Sequence, residues 1–179
     1  MVILLGVAGS GKSVQGKLIA KALNCEYFST GEFLRQNVDP VIVDKMRTGT
    51  LIDDPEVIRA TQEALLSNGY RKEFVLDGFL RTVPQAEWLI KEVKKGDFKV
   101  TAVINLVASP ETIVQRLLNR KRPDDQLEII KKRLNEYNKA INPIVSALES
   151  AGIKVNNVDA NRAVEEVNKD VMNIIGPSS

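Results

Sequence analysis

The chain has no histidine among its 179 residues and a single cysteine, Cys25. The lack of histidine excludes Ser-His-Asp and Cys-His nucleophilic machinery, and also metal sites built from histidine. One cysteine excludes an internal disulfide framework and a zinc site made of several cysteines, so no zinc is expected. We expect Cys25 to be a buried small residue rather than a reactive thiol.

Long apolar runs and a strong net charge are also missing. No run approaches the ~20 residues that span a bilayer, and Met1 leads directly into an apolar segment without the charged region of a signal peptide. The formal net charge of +2 is too small to indicate binding to nucleic acid or to a membrane surface. These features predict a cytoplasmic protein with one α/β domain and at most one inserted subdomain.

Residues 6–13 match the phosphate-binding pattern G-x-x-x-x-G-K-[ST] at every fixed position. The glycines allow a tight turn whose N–H groups face an anion, and the helix that follows adds its positive dipole end. Lys12 can reach the outer phosphates, and the Ser13 hydroxyl can bind magnesium. The alternative is a glycine-rich turn with an unrelated lysine. An apolar run before the motif and a helical pattern after it favour nucleoside triphosphate binding.

Five short apolar segments alternate with helical patterns, which predicts a parallel sheet covered by helices. Strands are expected at residues 2–7, 26–28, 74–76, 101–107 and 153–158. Asp54 and Ser109 each precede a proline, so both are expected to cap the start of a helix. Pro143 is expected to kink or split a long helix over residues 124–151.

From Thr30 to about Asn68 the chain carries helical signals only, which interrupts the alternation. In a doubly wound fold, an insertion at the carboxyl end of a strand lies beside the binding crevice. We therefore expect residues 1–29 and 59–179 to form the core and residues 30–58 a small subdomain that binds the acceptor. Extra helical packing is the alternative.

Charged residues at strand ends and on helices suggest further phosphate and metal contacts. Asp77 closes an apolar strand, where it could hold magnesium or could simply pair with Gly78 in a turn. Arginine forks can contact two phosphate oxygens at once, although a single arginine is more often a solvated surface residue. The phosphate hypothesis requires convergence of Arg35, Arg81, Arg116, Arg120, Arg122 and Arg133.

Four segments, in order along essentially the whole chain, resemble the motifs of the adenylate kinase family of nucleoside monophosphate kinases. They are residues 6–12 (GVAGSGK), residues 28–35 (FSTGEFLR), residues 77–82 (DGFLRT) with Gln85, and residues 122–125 (RPDD) with Arg133. The resemblance implies a three-layer α/β P-loop fold with a five-stranded parallel sheet and a small helical insertion that binds the nucleoside monophosphate. It also implies the reaction MgATP + AMP ⇌ 2 ADP.

The resemblance assigns a role to each matching position. ATP would be bound by Gly9, Ser10, Gly11, Lys12, Ser13, Val14, Arg116, Arg120 and Arg162. AMP would be bound by Thr30, Arg35, Thr50, Leu51, Ile52, Gly78, Phe79, Leu80, Arg81, Gln85, Arg122 and Arg133. Catalysis would rest on Lys12, Arg81, Arg120, Arg122 and Arg133. Magnesium would be held by Ser13 and Asp77, directly or through water.

Two departures from the family pattern are visible. Ser13-Val14 stands where the family usually has Gly-Thr, and only Lys121 separates Arg120 from Arg122, where relatives insert a mobile lid. The lid near residues 120–124 is therefore expected to be reduced to a turn.

Other functions stay open from the residues alone. They are a CMP or UMP kinase, a module that binds ATP without turnover, and a kinase for a small alcohol with Asp77 as base. Gln85 and Thr30 resemble the adenylate pattern rather than the pyrimidine one. The partners expected are ATP, AMP and ADP, with a monomer as the expected state and a small homo-oligomer as the alternative.

Overall fold

The computed structural model describes residues 1–37, 48, 52–67, 73–122 and 124–176. Within these residues five strands alternate with seven helices. The strands are β1 (Val2–Leu5), β2 (Glu26–Ser29), β3 (Phe74–Asp77), β4 (Ala102–Val107) and β5 (Val155–Asp159). The helices are α1 (Lys12–Leu23), α2 (Thr30–Asn37), α3 (Asp54–Ser67), α4 (Val83–Lys95), α5 (Pro110–Arg120), α6 (Leu127–Ser150) and α7 (Val164–Ile175).

The five strands form one parallel sheet in the order β2-β3-β1-β4-β5, which confirms the predicted architecture. Strand ends differ from the prediction by one or two residues for local reasons. Strand β1 stops at Leu5 because the backbone turns at Gly6 with φ +139°. Strand β5 starts at Val155 because the Ile153 N–H still bonds to the carbonyl of Leu148 at the end of α6.

The sheet lies between two helical layers, because successive strand residues point to opposite faces. Ile3 and Leu5 join the apolar core beneath α4 and α6, and Val2 and Leu4 join the core beneath α1 and α7. A smaller cluster holds α5 against α6 beside the phosphate loop, through Val7, Ile113, Leu117 and Ile130.

The two predicted helix caps have different outcomes. Ser109 caps α5, since its hydroxyl accepts a hydrogen bond from the Thr112 N–H. Asp54 is the first residue of α3, and its carboxylate faces α4, where it accepts hydrogen bonds from Thr82 and Gln85. Cys25 is half-buried rather than buried, and desolvation raises the pKa of its thiol.

Of the two outcomes predicted for Pro143, a kink or a split of the long helix, the split is wrong and the kink stays a prediction. Helix α6 continues unbroken from Leu127 to Ser150 with Pro143 inside it. Proline removes one backbone donor, but Ile144 and Leu148 beyond it are fully buried against the core. Tertiary packing on this apolar face keeps the helix continuous.

The carboxyl ends of the parallel strands lie at one edge of the sheet, where such folds bind ligands. The phosphate loop follows β1, helix α2 follows β2, and Gly78 follows β3. The predicted boundary of the acceptor subdomain at residue 58 falls inside α3, and the division into core and subdomain stays a prediction. No helix among the described residues is long and apolar enough to cross a membrane.

Candidate active site

The loop between β1 and α1 has the backbone of a phosphate cradle. A side chain at Gly6 would come within 2.5 Å of the Ser10 hydroxyl and 2.8 Å of the Leu106 carbonyl, so only glycine fits. Gly11 has φ +102° at the start of α1, another conformation that favours glycine. The Lys12 ammonium folds back over the loop and donates to the carbonyls of Gly6 (2.7 Å) and Val7 (2.9 Å). The loop and the amino end of α1 thus form an anion site with its lysine in place.

A carboxylate and a hydroxyl meet where the loop approaches β3. Asp77, which is 3% exposed, accepts hydrogen bonds at Oδ2 from the Ser13 hydroxyl (2.9 Å) and from the Tyr27 hydroxyl (2.6 Å). Asp77 is thus held by residues of α1 and β2, and the hydrogen bond from Ser13 brings a second oxygen ligand beside the phosphate loop. Hard oxygen ligands of this kind suit magnesium.

A cavity of about 570 Å³ opens at this edge of the sheet. Its walls carry three acidic residues, Glu32, Asp77 and Glu136. They carry eight basic ones: Lys12, Arg35, Arg81, Arg116, Arg120, Arg122, Arg133 and Arg162. The arginines that the sequence scattered over the chain therefore converge on one hollow, and the excess of positive charge fits a polyanionic ligand.

The crowding of cations changes their protonation equilibria. Burial lowers the pKa of Lys12 to about 8, with Arg81 and Arg120 adding to the effect and Asp77 opposing it. Arg81 is solvent-exposed, yet the cavity walls surround its guanidinium. Desolvation is the largest effect and lowers the pKa of Arg81. The charges of Arg133 and Arg35 lower it further, whereas the charge of Asp77 opposes them. Desolvation and mutual repulsion therefore disfavour the positive charges on the cavity wall, and an anionic ligand would relieve that cost.

Two ion pairs hold the turn between α5 and α6. Arg120 binds Asp125 through two hydrogen bonds of 2.6 and 2.9 Å, and Arg133 donates to Asp124 at 2.7 Å. Burial alone would raise the pKa of both carboxyl groups, but the arginine hydrogen bonds and charges, together with backbone hydrogen bonds, outweigh it and lower the pKa of each. Asp124 and Asp125 thus fix Arg120 and Arg133 at the cavity edge.

Part of the cavity wall consists of uncharged, buried residues. Thr30, Ile52, Leu80 and Gln85 line it, and all four are buried. The Thr30 hydroxyl has no hydrogen-bond partner among the described residues. Since buried hydroxyl groups are normally paired, Thr30 has a free donor and acceptor to offer to a ligand here.

The comparisons with known proteins agree on one family. A family model described as adenylate kinase matches residues 4–153. An adenylate kinase from Caldanaerobacter subterraneus is 30% identical, with 95% of this chain and 93% of the relative covered. Adenylate kinases from Corynebacterium urealyticum and Trichodesmium erythraeum are each 34% identical; the first covers 94% of both chains, and the second 93% of this chain and 92% of the relative. The chain belongs to the adenylate kinase family.

The alignments with these relatives differ in length. The match to the Caldanaerobacter adenylate kinase runs over 207 positions, more than the 179 residues of this chain. That relative therefore carries residues which this chain lacks. The match to the Corynebacterium urealyticum adenylate kinase runs over 178 positions. This second alignment is about as long as the chain itself.

The structure brings most of the predicted site residues to the cavity wall. Those lining it are Gly9, Ser10, Gly11, Lys12, Ser13, Val14, Thr30, Arg35, Ile52, Asp77, Gly78, Leu80, Arg81, Gln85, Arg116, Arg120, Arg122, Arg133 and Arg162. Phe79 is different, because its ring packs edge-on against Trp88 in the core and does not line the cavity. Thr50 and Leu51 lie outside the described residues.

Arg162 and Gln85 have partners of their own within the protein. The Arg162 guanidinium pairs with Asp170 and with the carbonyl of Asp159, so its side chain is held at the cavity rim beside α7. The Gln85 amide is held between the Arg81 N–H and Asp54.

Sequence reasoning missed two residues, Glu136 and Tyr27, that the fold brings close to the site. Glu136 lines the cavity and lies one helical turn after Arg133, so the i,i+3 spacing on α6 offered a signal for it. Tyr27 contacts Asp77 across 50 residues, and no local pattern predicts that contact.

Substituting Asp125 by Asn is expected to lower the free energy of unfolding at neutral pH by about 1–2 kcal/mol. The side chain of Asp125 is 1% exposed, and both of its oxygens accept hydrogen bonds from Arg120 and the Arg122 N–H. In asparagine an NH₂ group would replace one of these oxygens and would face an N–H donor. The pKa of Asp125 is lower in the folded protein than in the unfolded chain. Its ionised carboxylate therefore stabilises the fold fully above the unfolded pKa of ~3.9, and this stabilisation is lost as pH falls through the folded pKa.

Thermal unfolding from pH 3 to pH 8 measures this effect. The gap between wild type and D125N should be widest at pH 6–8 and should close below about pH 4. Glu128→Gln is the matched control, since its pair with Lys131 is exposed and should contribute almost nothing. A gap that is independent of pH would contradict the role given to the ion pair.

Proposed function

We propose that this protein catalyses reversible phosphoryl transfer from magnesium-bound ATP to AMP, giving two molecules of ADP. Membership of the adenylate kinase family and the named relatives support this reaction. The single observation that carries it is the cavity wall itself. It combines a phosphate loop, the uncharged buried residues Thr30 and Gln85, and eight cationic groups around one hollow.

On the donor side, the backbone of Gly9, Ser10 and Gly11 would cradle the ATP phosphates, with Ser13 and Val14 at the start of α1. Lys12 would leave the loop carbonyls and follow the transferred group. Arg116 and Arg120 on α5 would face the triphosphate, and the backbone near Arg162 would border the adenine.

On the acceptor side, Arg35 and Arg81 would clamp the AMP phosphate. The base would lie against Thr30, Gln85 and the segment that includes Ile52. Gly78 and Leu80 line this half of the cavity, and Thr50, Leu51 and the backbone of Phe79 complete the predicted set.

Magnesium fits the oxygen atoms at the edge of β3. Ser13 and Asp77 place a hydroxyl and a carboxylate 2.9 Å apart beside the loop, and hard oxygen ligands are what this ion prefers. When bound, Mg²⁺ neutralises phosphate charge that the arginines alone would leave partly exposed. Tyr27 keeps the Asp77 carboxylate oriented toward Ser13 through its own hydrogen bond. Among the described residues, no group of three or more His, Cys, Asp or Glu side chains is placed to hold a metal ion.

The transfer step needs positioning rather than proton abstraction. A phosphate oxygen of AMP attacks the γ-phosphorus of ATP, the bond from that phosphorus to the β-bridging oxygen breaks, and the PO₃ unit ends on AMP. Because the acceptor is already an anion, no general base is required, which agrees with a chain that lacks histidine. Lys12, Arg81, Arg120, Arg122 and Arg133 would stabilise the charge that spreads over the transferred oxygens.

An acceptor panel tests the proposal. With Mg-ATP and AMP, CMP, UMP or GMP supplied separately, we expect kcat/KM for AMP to exceed each of the others by about a hundredfold or more. Diphosphate formation in a coupled assay measures it. Equal or faster turnover of CMP or UMP would identify a pyrimidine monophosphate kinase instead. ATP binding without transfer to any acceptor would identify a non-catalytic module.

We further propose that the protein works as a monomer in the cytoplasm. Both are the starting expectations for this chain, and a small homo-oligomer is the alternative to the monomer. Light scattering on the purified protein measures the first.

A further inference from the structure

A closed hydrogen-bond network joins α3 to the amino end of α4 behind the acceptor side of the cavity. The Asp54 Oδ1 atom accepts hydrogen bonds from the Thr82 hydroxyl (2.7 Å) and from the Gln85 Nε2 group (2.8 Å). The Gln85 Oε1 atom in turn accepts from the Arg81 N–H (2.8 Å). Gln85 is 2% exposed, so its amide is held at both ends in a protein environment.

This network fixes which way round the Gln85 amide points. The amide oxygen must face the Arg81 N–H, and the amide nitrogen must face the Asp54 carboxylate, because a carboxylate only accepts hydrogen bonds. Each end of the amide can still make one more hydrogen bond, through a lone pair on Oε1 and through one N–H of Nε2. A fixed acceptor and a fixed donor, side by side, therefore remain for a ligand in the cavity that Gln85 lines.

We propose that Asp54 is a positioning residue that sets acceptor-base specificity by locking the Gln85 amide in one orientation. The inference rests on the proposed function, in which AMP is the acceptor. Asp54 itself does not line the cavity and touches no substrate; it acts through Gln85. The carboxylate that the sequence marks as a helix cap thus serves to define the base site.

The fixed orientation of the Gln85 amide distinguishes purine bases by the group that they carry at position 6. Adenine offers an amino donor beside a ring-nitrogen acceptor, which complements the free Oε1 lone pair and the free Nε2 hydrogen. Hypoxanthine in IMP has a carbonyl oxygen at the same place, so a locked amide sets two acceptor oxygens against each other. An amide that is free to rotate could turn its nitrogen to that oxygen and would lose part of the discrimination.

The experiment compares AMP and IMP as acceptors for wild type, Asp54→Ala and Glu56→Ala. Glu56 is the matched control, since it lies in the same first turn of α3 and carries the same charge, but does not line the cavity. For D54A we expect KM for AMP to rise about tenfold and the AMP-over-IMP ratio of kcat/KM to fall at least about fivefold. KM for ATP should change by less than about twofold, and E56A should match wild type throughout.

Asp54→Asn provides the rescue. The asparagine oxygen can accept both hydrogen bonds that Asp54 Oδ1 accepts, so D54N should keep KM for AMP and the AMP-over-IMP ratio within about threefold of wild type. Asp54→Ser keeps a helix-starting side chain too short to reach both partners, and should repeat the D54A pattern if D54A fails to fold.

The outcomes separate this proposal from the proposed function. No transfer to AMP by wild type would overturn the proposed function and this inference with it. Transfer by wild type, with D54A or D54S keeping the wild-type ratio, would overturn the role of Asp54 alone. An equal rise in KM for ATP and AMP, or a D54N variant as impaired as D54A, would also overturn it, since a general structural or charge effect would then be acting.

Discussion

Replacing Arg81 by alanine is expected to lower kcat/KM for AMP by about a hundredfold to a thousandfold and to leave the thermal midpoint of unfolding unchanged or slightly raised. The guanidinium lies against Gly31 and Gly78, and its Nε donates to the Gly78 carbonyl at 3.1 Å. From there it faces the acceptor half of the cavity. Loss of a planar two-point phosphate contact explains the size of the kinetic effect.

The effect on stability should have the opposite sign to the effect on activity. Arg81 is near Arg35 and Arg133, and desolvation together with these charges lowers the pKa of its guanidinium against the opposing charge of Asp77. Removing one cation from this group relieves repulsion. The backbone N–H of Arg81, which binds Gln85, is kept by alanine. A residue that costs stability yet supports turnover is typical of a ligand site.

Arg59→Ala is the matched control, since Arg59 is an exposed arginine on α3 that does not line the cavity. It should change neither AMP kinetics nor the thermal midpoint. Steady-state kinetics and calorimetry on the three proteins check both. If R81A loses activity and unfolds at a much lower temperature, Arg81 supports the fold rather than the substrate, and its assignment to the site fails.

Local chemistry explains what the sequence could predict. The phosphate loop is encoded in consecutive residues, because Gly6, Gly11 and Lys12 must follow one another for the backbone to turn around an anion. Alternating apolar segments were enough to predict the five parallel strands, since buried parallel strands are apolar on both faces. Convergence of Arg35 and Arg133 was only a hypothesis, because no local pattern sets the distance between residues about a hundred positions apart.

Residues that act through long-range contacts escaped prediction. Asp54 before Pro55 has the pattern of a helix cap, and only the packing of α3 on α4 turns its carboxylate to Gln85. Tyr27 reaches Asp77 because β2 and β3 pair in register, with Ser29 opposite Asp77. At Pro143 the propensity argument was overridden by the burial of Ile144. In each case tertiary contacts decided the outcome, and the local sequence does not encode them.

Lys12→Met is expected to lower kcat by about a thousandfold, with a smaller loss of ATP affinity. Methionine has a similar shape and no charge, so it fills the space above the loop but cannot neutralise the transferred group. In the unliganded protein Lys12 donates to the carbonyls of Gly6 and Val7, and burial lowers the pKa of its ammonium to about 8.

The stability of K12M is predicted to stay close to that of wild type, because two effects oppose each other. The Gly6 carbonyl loses its donor, whereas the Val7 carbonyl keeps the Ser10 N–H at 3.1 Å. Against this loss, the cavity is relieved of a desolvated charge next to Arg81 and Arg120. Single-turnover kinetics, with Lys21→Met on the exposed side of α1 as control, separate the chemical step from binding. A K12M enzyme that transfers phosphate at a rate within tenfold of wild type would show that the arginines carry the charge of the transferred group without this lysine.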